Sequence, residues 1–352
     1  MSLRPVAASF ALALVALTAI ACGGREGADG EPASAPVVTT ALASPLASAT
    51  STRPAAAPTP APSPRASPKS PSTGNGCTAS LPVQLRAGAT AVLTVTSESR
   101  QRAYRLHVPA KVDPTKPAPL VLNFHGLGSN GAEQEVYSGL LPVSDREGFY
   151  LVSPDGTGEP RAWNILNLPI LPDDDQFVRD LIAEVERLVC IDPLRVYSTG
   201  MSNGAFFSSQ LACRLADQIA AIAPVAGVRK PGAGCDDQTP VLAFHGVEDG
   251  VVPFEAGRVL NVLSYDGARA ETAAWAKQNG CAAESTASRV ADHVTRESYS
   301  GCAAGNETAL VVVDDGGHTW PGSVPVASLG KTNREISAAE LIWAFFRAHP
   351  LK

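Results

Sequence analysis

The sequence is poor in charge, in aromatic side chains and in histidine. Of its 352 residues, 18% are charged, 6% are aromatic and six are histidines. The formal net charge of −6 leaves no basic excess with which to bind nucleic acid, so we expect no nucleic-acid partner. Any catalytic or metal-binding histidine must come from this set of six.

Long apolar runs are also scarce. The longest, from Val6 to Ala21, follows a basic residue and is short for a membrane span, which is typical of a signal peptide. It ends in Ala21-Cys22, which resembles a bacterial lipoprotein cleavage site, so residues 1–22 are predicted to be a signal peptide with Cys22 as the lipidated residue. Ala19 stands where that motif usually has leucine, and simple cleavage followed by secretion is the alternative.

Large apolar side chains are nearly absent from residues 23–76, where Ala, Pro, Ser and Thr dominate. Such a segment cannot bury enough surface to offset the entropy of ordering, so it is predicted to be a disordered linker. Residues 77–352 are enough for one sizeable core and too few for two typical domains. We expect one folded domain, tethered to the cell envelope through the N-terminal lipid as its membrane contact.

Apolar runs alternate with helical patterns along this domain. The segment from Asp174 to Val189 has one apolar face, with Asp173 or Asp174 as its N-cap, and the last helix is expected from Ser337 to Ala348. This alternation predicts an α/β fold with a mostly parallel eight-stranded sheet and helices on both faces. The strands are expected at 91–95, 104–108, 120–124, 150–152, 196–198, 219–226, 241–244 and 310–313.

The pentapeptide Gly200-Met-Ser202-Asn-Gly204 is the most specific motif. It follows a strand-like run, Arg195 to Thr199, and opens a helix-like one, Ala205 to Leu215. A G-x-S-x-G sequence in this context predicts a nucleophile elbow, in which the glycines allow a tight turn that exposes the serine hydroxyl. Ser202 is therefore the candidate nucleophile.

A serine nucleophile needs a histidine base, which follows it in the chain in the α/β-hydrolase order. His318 follows the strand-like run Ala309 to Val313 and lies in the glycine- and proline-rich loop Gly316 to Gly322. The carboxyl end of a strand is where an open α/β sheet places its active site. His293 and His349 have no such context and are interpreted as surface residues, so His318 is the candidate base.

The acid that orients the base should also follow a strand. The apolar run Pro240 to Phe244 leads to Asp249, which is the best-placed carboxylate. Glu248 is a rival next to it, and Asp249 could also be an ordinary turn residue. Asp314 and Asp315 are close to the candidate base in sequence and are interpreted as turn residues.

Acyl transfer also needs two amides that stabilise an oxyanion. One is expected to be the amide of Asn203, directly after the nucleophile. The other is assigned to Leu127, in the loop after the run Pro119 to Phe124. His125 and His245 each precede a glycine at a strand end, and we interpret them as turn residues because no ligand spacing for a metal accompanies them.

Several short motifs occur in a specific order from about Cys77 to the end of the chain. They are Leu122–Gly126, Trp163-Asn164, Asp174–Val178, Arg195–Tyr197, Gly200–Gly204, Ala221–Gly227, Phe244–Gly246, Asp249, Val252-Pro253 and Gly316–Gly322. With them the chain resembles the secreted α/β-hydrolase esterases that include polyhydroxybutyrate depolymerases and feruloyl or acetyl-xylan esterases. The resemblance implies the triad Ser202, Asp249 and His318, and no cofactor or metal.

The same resemblance implies further roles. Trp163 and Trp320 are expected near the substrate cleft as substrate-binding residues. Six of the seven cysteines remain for pairing if Cys22 carries lipid, in fifteen possible arrangements. The resemblance and proximity in sequence imply the pairs Cys77 with Cys190, Cys213 with Cys235, and Cys281 with Cys302.

The predicted function is that of a serine carboxylic ester hydrolase working through an acyl-enzyme. Hydroxyalkanoate esters or oligomers are the preferred substrates, and feruloyl or acetyl-xylan esters are the alternative. Many polymer depolymerases carry a separate binding domain, whereas this sequence stops soon after its last predicted helix, which counts against action on a bulk crystalline polymer. A hypothesis from another class is an inactive, surface-tethered binding module on a hydrolase scaffold.

Overall fold

The computed structural model describes residues 76–232 and 235–352. The predicted signal peptide with Cys22, and all of the predicted linker except its last residue, lie outside the described residues. Within these ranges, the helices are too short or too polar to span a membrane.

Strands and helices alternate along the described chain. The strands are β1 Ala89–Ser97, β2 Arg100–Val108, β3 Ala118–Phe124, β4 Tyr150–Pro154, β5 Ile191–Met201, β6 Ile219–Val225, β7 Val241–Gly246, β8 Gly257–Val259, β9 Leu263–Tyr265, β10 Ser285–Ala291, β11 Val294–Tyr299 and β12 Thr308–Val313. The α-helices are α1 Gly131–Tyr137, α2 Leu140–Glu147, α3 Asp174–Leu188, α4 Asn203–Arg214, α5 Ala268–Gln278 and α6 Ala338–Ala348.

Ten strands form one sheet in the order β1-β2-β4-β3-β5-β6-β7-β12-β11-β10. The pairings from β4 through β12 are parallel, and those at both ends are antiparallel. Seven of the eight predicted runs lie within one of these strands and the eighth, 219–226, extends one residue beyond β6, which confirms the α/β prediction. Strands β8 and β9 form a separate hairpin.

The sheet has two strands more than the eight predicted. The extra strands, β10 and β11, form an antiparallel hairpin on the edge of β12. Their side chains are mostly polar, and those of β10 are largely exposed. Because these strands are held by backbone pairing and not by a buried apolar face, no apolar run marks them in the sequence.

The core lies in two layers because successive side chains of a strand point to opposite faces of the sheet. In β3, Phe124 packs in a cluster with Phe177 of α3 and Phe207 of α4. Val121 faces the other way and belongs to a cluster with Phe346 of α6. Helices therefore cover both faces, as predicted.

The helices predicted from Asp174 and from Ser337 begin at, or within one residue of, the expected position. Helix α3 is capped by the Asp173 side chain, which accepts a hydrogen bond from the Gln176 amide at 2.9 Å. Helix α6 begins after Ser337, whose hydroxyl accepts a hydrogen bond from the Glu340 amide at 3.4 Å. Capping groups of this kind satisfy amides that lack a partner within the helix.

Three disulfide bonds are present, with the pairing that the family resemblance implies: Cys77–Cys190, Cys213–Cys235 and Cys281–Cys302. The first joins the start of the described chain to the residue just before β5. Disulfides of this number are typical of proteins in oxidising compartments outside the cytosol.

Removing the disulfide that closes the longest loop of chain should lower the free energy of unfolding the most. The Cys77–Cys190 bond spans 113 residues and the Cys281–Cys302 bond spans 21. Because a longer closed loop restricts the unfolded chain more, replacing the first pair by alanine should lower the free energy of unfolding by about 5 kcal/mol, and the second by about 3 kcal/mol. Denaturant unfolding of the two double variants measures this, and an equal or reversed order would contradict the expectation.

Candidate active site

Ser202 lies in a strained turn between β5 and α4. Its backbone has φ 57° and ψ −118°, a conformation that is rare for a residue with a side chain. The flanking glycines allow this turn, because a Cβ on Gly200 would lie 2.6 Å from the Gly204 carbonyl oxygen, and one on Gly204 would lie 2.6 Å from that of His125. The motif therefore forms the predicted elbow.

The loop after β3 lies directly beside this elbow. A Cβ built on Gly126 would be 3.5 Å from the Ser202 Cβ. The Ser202 amide already donates to the Val225 carbonyl at 3.0 Å. The Leu127 amide has no acceptor within the described ranges, and the Asn203 amide opens α4, where amides have no partner in the helix. Among the described residues, no recorded acceptor occupies either of the two amides predicted as oxyanion donors.

Trp163 ties the elbow to this loop. Its backbone amide donates to the Asn203 Oδ1 at 2.7 Å, and its indole Nε1 donates to the His125 carbonyl at 3.0 Å. The ring is 3% exposed and stacks on Phe207 with centroids 5.0 Å apart. The predicted substrate contact is therefore corrected to a packing role, because the ring is enclosed by other aromatic side chains.

Trp320 is corrected in the same way. It lies two residues after His318, but its side chain is 1% exposed and packs in the core beside α6. This burial leaves no ring surface for a substrate.

The two turn histidines have internal partners, as interpreted from the sequence. The His125 Nε2 accepts from the Gly156 amide at 2.9 Å, so its Nδ1 carries the proton and donates to the Gly126 carbonyl at 2.7 Å. The His245 Nε2 donates to the Val252 carbonyl at 2.9 Å. Burial lowers the pKa of both imidazoles. The described residues hold no cluster of three or more side chains suited to a metal.

Asp249 and His318 form a buried pair. The Nδ1 of His318 donates to the Asp249 Oδ2 at 2.8 Å, and the Asp249 side chain is 0% exposed. The other carboxylate oxygen accepts hydrogen bonds from the Val251 and Val252 amides, each at 2.8 Å. With its proton on Nδ1, the neutral imidazole has Nε2 free to accept another. This is the acid–base geometry that the sequence predicted.

The topology of the sheet brings this pair to the edge that carries Ser202. Strands β5, β6, β7 and β12 are parallel neighbours, so Ser202, Asp249 and His318 all follow the carboxyl ends of strands in one row. No hydrogen bond joins the Ser202 hydroxyl to His318 in the described part of the chain. Such contacts are often long without substrate and tighten when it binds.

The rival carboxylates have other roles. Glu248 is exposed, and its backbone amide donates to the Gly316 carbonyl at 2.9 Å. Asp315 pairs with Lys331 and accepts from the Asn333 side chain at 3.0 Å. The Glu248 backbone and the Asp315 carboxylate thus contact segments beside the loop of His318, and Asp315 lies in a turn, as interpreted from the sequence.

The histidines that were set aside also have structural roles. His293 is half exposed, and its Nδ1 lies 2.6 Å from a Glu335 carboxylate oxygen. His349, interpreted as a surface residue, is instead buried at 7% exposure, and its ring donates to the Phe345 carbonyl at 2.8 Å. The last turn of α6 encloses this side chain. A lone histidine before proline gives no sign of such burial in the sequence.

His293 should titrate above an ordinary histidine. The hydrogen bond and the charge of Glu335 raise its pKa, with Asp315 adding to the effect and Lys331 opposing it. Its contribution to stability is therefore present below the unfolded pKa and is lost as pH rises through the folded one. An NMR titration should find this raised pKa, and Glu335→Gln should lower it. An unchanged His293 pKa in that variant would contradict the assignment.

Asp249 and Glu248 offer a matched pair of substitutions. Asp249→Asn keeps the size of the side chain but loses the negative charge, so the imidazole is no longer held in the required tautomer, and kcat for ester turnover should fall roughly 10⁴-fold. Glu248→Gln should leave kcat within about twofold, because its side chain is exposed. Steady-state kinetics on a soluble ester checks both, and comparable losses would mean that Asp249 is not the acid.

Comparisons with known proteins give a consistent picture. The Nocardia uniformis subsp. tsuyamanensis protein named "Putative esterase NocK" is 32% identical over 307 residues, covering 74% of this chain and 84% of that protein. Feruloyl esterase B of Piromyces equi is 32% identical over 215 residues, or 58% of this chain, and the match spans only 40% of that longer protein. Feruloyl esterase D of Neurospora crassa is 29% identical, covering 69% of this chain and 81% of that protein.

Among solved structures, the acetyl xylan esterase from Aspergillus awamori matches with a TM-score of 0.51 and 14% identity, over 73% of this chain and 99% of that one. At this identity the match concerns the fold alone. No protein-family model matches the sequence. The relatives in sequence, together with the elbow and the sheet, lead to one conclusion: the chain belongs to the α/β-hydrolase esterases, the family that includes feruloyl and acetyl-xylan esterases.

Proposed function

We propose that this esterase hydrolyses carboxylic esters through an acyl-enzyme on Ser202. The observation that carries the proposal is the buried Asp249–His318 pair at the sheet edge that bears the elbow. The Ser202 hydroxyl attacks the ester carbonyl, and the His318 Nε2 takes its proton and returns it to the leaving alcohol. Water, activated by the same imidazole, then releases the acid.

The negative charge of the tetrahedral intermediate is stabilised by two amides. Those of Leu127 and Asn203 are the donors, and the positive end of the α4 dipole adds to them. Asp249 holds the imidazole and stabilises its charged form. Water supplies the second nucleophile and its proton, and the groups that transfer protons and stabilise charge all come from the chain, so we propose a mechanism without metal or organic cofactor.

The preferred substrates are hydroxyalkanoate esters or their oligomers. The loop 165–171, which follows Trp163 beside the elbow, has aliphatic side chains and no charge. This environment is better suited to an aliphatic ester than to a charged or strongly polar one. Feruloyl or acetyl esters of plant polysaccharides are the second candidates, favoured by the names of the relatives.

The disulfides support an exported protein, and we propose a lipid anchor on Cys22, with secretion as the alternative. An inactive binding module is the less favoured hypothesis. It would leave the buried carboxylate, its imidazole partner and the two free amides without a purpose.

Ser202→Ala should reduce kcat for ester hydrolysis by roughly 10⁶-fold, because no other group can form the acyl-enzyme. Ser288→Ala, on the exposed edge strand β10, is the matched control and should keep full activity. Turnover of a soluble 4-nitrophenyl ester measures both. Undiminished turnover by Ser202→Ala would disprove the nucleophile assignment.

The substrate class is tested by measuring product release from 3-hydroxybutyrate oligomers and from methyl ferulate in parallel assays, with Ser202→Ala as the blank. We expect faster release of hydroxybutyrate. Faster release of ferulate would move the chain to the cell-wall esterases, and no release from either would favour the binding module.

A further inference from the structure

His245 is a buried histidine close to the candidate acid. It lies in β7, four residues before Asp249, and its side chain has no exposed surface. Its ring packs edge-to-face on Phe254, with centroids 5.8 Å apart, and lies beside the ring of Tyr265 at 6.3 Å. Burial lowers the pKa of the imidazole, so the side chain is neutral near neutral pH. A neutral imidazole has a single N–H donor, and the position of that donor decides what the residue can do.

The donor of His245 is its Nε2. This atom lies 2.9 Å from the Val252 carbonyl oxygen, which can only accept, so Nε2 carries the proton and Nδ1 does not. The Nδ1 atom is buried and has no partner among the described residues. An apolar side chain would fill the same space without an unpaired nitrogen, so packing alone does not account for an imidazole here.

The Val252 backbone connects this hydrogen bond to the candidate acid. Its amide donates to the Asp249 Oδ1 at 2.8 Å, while its carbonyl accepts from His245. The Asp249 amide in turn donates, at 3.3 Å, to the carbonyl of Gly246, the residue directly after His245. These bonds close a ring that runs from the end of β7 through the turn and back, and the imidazole completes it.

The other anchors of this turn lie in its first half. The Val247 and Glu248 amides donate to the carbonyls of Val313 and Gly316, each at 2.9 Å. In the described part of the chain, residues 250–252 make hydrogen bonds only to Asp249 and to His245. Without the bond from His245, the second half of the turn would be held by hydrogen bonds to the Asp249 carboxylate alone.

The His245 N–H group also lies near the charge of Asp249. Its Nε2 is 3.5 Å from the Asp249 Oδ2, the oxygen that binds His318. This distance is too long for an ordinary hydrogen bond, but a polar N–H group beside a buried carboxylate favours the charged form of that carboxylate.

We propose that His245 is a positioning residue for the triad, which holds the Asp249 carboxylate in line with the Nδ1 of His318 through the Val252 backbone. It acts through Asp249 and takes no part in making or breaking bonds. Without its hydrogen bond the carboxylate can move, and the His318 imidazole is held less firmly in the orientation and tautomer that the reaction requires. The proposal rests on the proposed function and adds a residue to it.

NMR of the full chain in water tests this role without any substrate. The proton between the His318 Nδ1 and a buried carboxylate should resonate far downfield, and it is assigned by its absence in His318→Gln. His245→Leu removes the N–H group but keeps a side chain of similar size, and should shift this resonance upfield or broaden it through exchange with water.

Two amide side chains separate the donor from the size of the residue. In His245→Gln the amide nitrogen can reach the position of Nε2, so this variant should restore the downfield resonance. In His245→Asn the amide nitrogen lies near the position of Nδ1, too far from the Val252 carbonyl, so this second loss variant should behave as His245→Leu does. Denaturant unfolding shows which of these chains are folded.

His107→Leu is the matched control. His107 is also a buried histidine in a strand, and its Nε2 lies 3.0 Å from the Asp145 carboxylate. Its strand, β2, is separated from β7 by β4, β3, β5 and β6. This variant loses a buried imidazole of the same kind and should keep both the downfield resonance and kcat.

Steady-state kinetics on a soluble 4-nitrophenyl ester gives the second readout. His245→Leu and His245→Asn should lower kcat about 10- to 100-fold with KM nearly unchanged, because His245 acts on the acid–base pair and not on substrate binding. His245→Gln should recover most of the lost kcat.

Three results would overturn the proposal. They are an unchanged resonance in a folded loss variant, an equal loss of the resonance in His107→Leu, and an equal loss in the Asn and Gln variants of His245. Ester turnover by the unsubstituted chain tests the proposed function separately. Absence of turnover, together with the expected changes in the resonance, would contradict the proposed function and leave the positioning of Asp249 by His245 supported.

Discussion

The arrangement of the candidate active site depends on the hydrogen bonds that the buried carboxylate of Asp249 accepts. A carboxylate with no exposed surface is costly unless hydrogen bonds compensate it. Two amides of its own loop and the His318 imidazole provide those bonds, and the His245 Nε2 lies 3.5 Å from the same oxygen that binds His318. The conformation of the loop after β7 therefore depends on that of the loop after β12. The parallel pairing of these two strands brings the loops together.

The proposed nucleophile is held by the packing of the elbow. Ser202 keeps a strained backbone because the strand before it and the helix after it are packed on both sides, and the glycines of the elbow let them approach closely. Trp163 then connects this turn to the oxyanion loop through Asn203 and His125. The rigid core thus positions three separate loops relative to one another, and in the proposed mechanism the charge that develops on the substrate meets amides that are already in place.

Much of this could be predicted from sequence because the chemistry leaves local signs. The three candidate triad residues, Ser202, Asp249 and His318, each follow an apolar run and lie among turn residues. Their positions at the ends of strands can therefore be predicted from the sequence. The edge hairpin β10–β11 escapes prediction because its residues are polar, and the burial of Trp163 depends on Phe124 and Phe207, which are distant from it in sequence. The exposure of Leu166 and Ile170 could not be predicted either, because an apolar run such as residues 165–171 looks the same in sequence whether it is buried or exposed.

The central claim is that the strained serine of the elbow is the nucleophile, and covalent labelling tests it most directly. The folded chain is treated with a 4-nitrophenyl alkylphosphonate, which mimics the tetrahedral intermediate, and the adduct is located by mass spectrometry of peptides. The account predicts one adduct per chain, on Ser202, and its loss when the chain is unfolded before treatment. An adduct on another residue, or a folded chain that stays unlabelled, would contradict it.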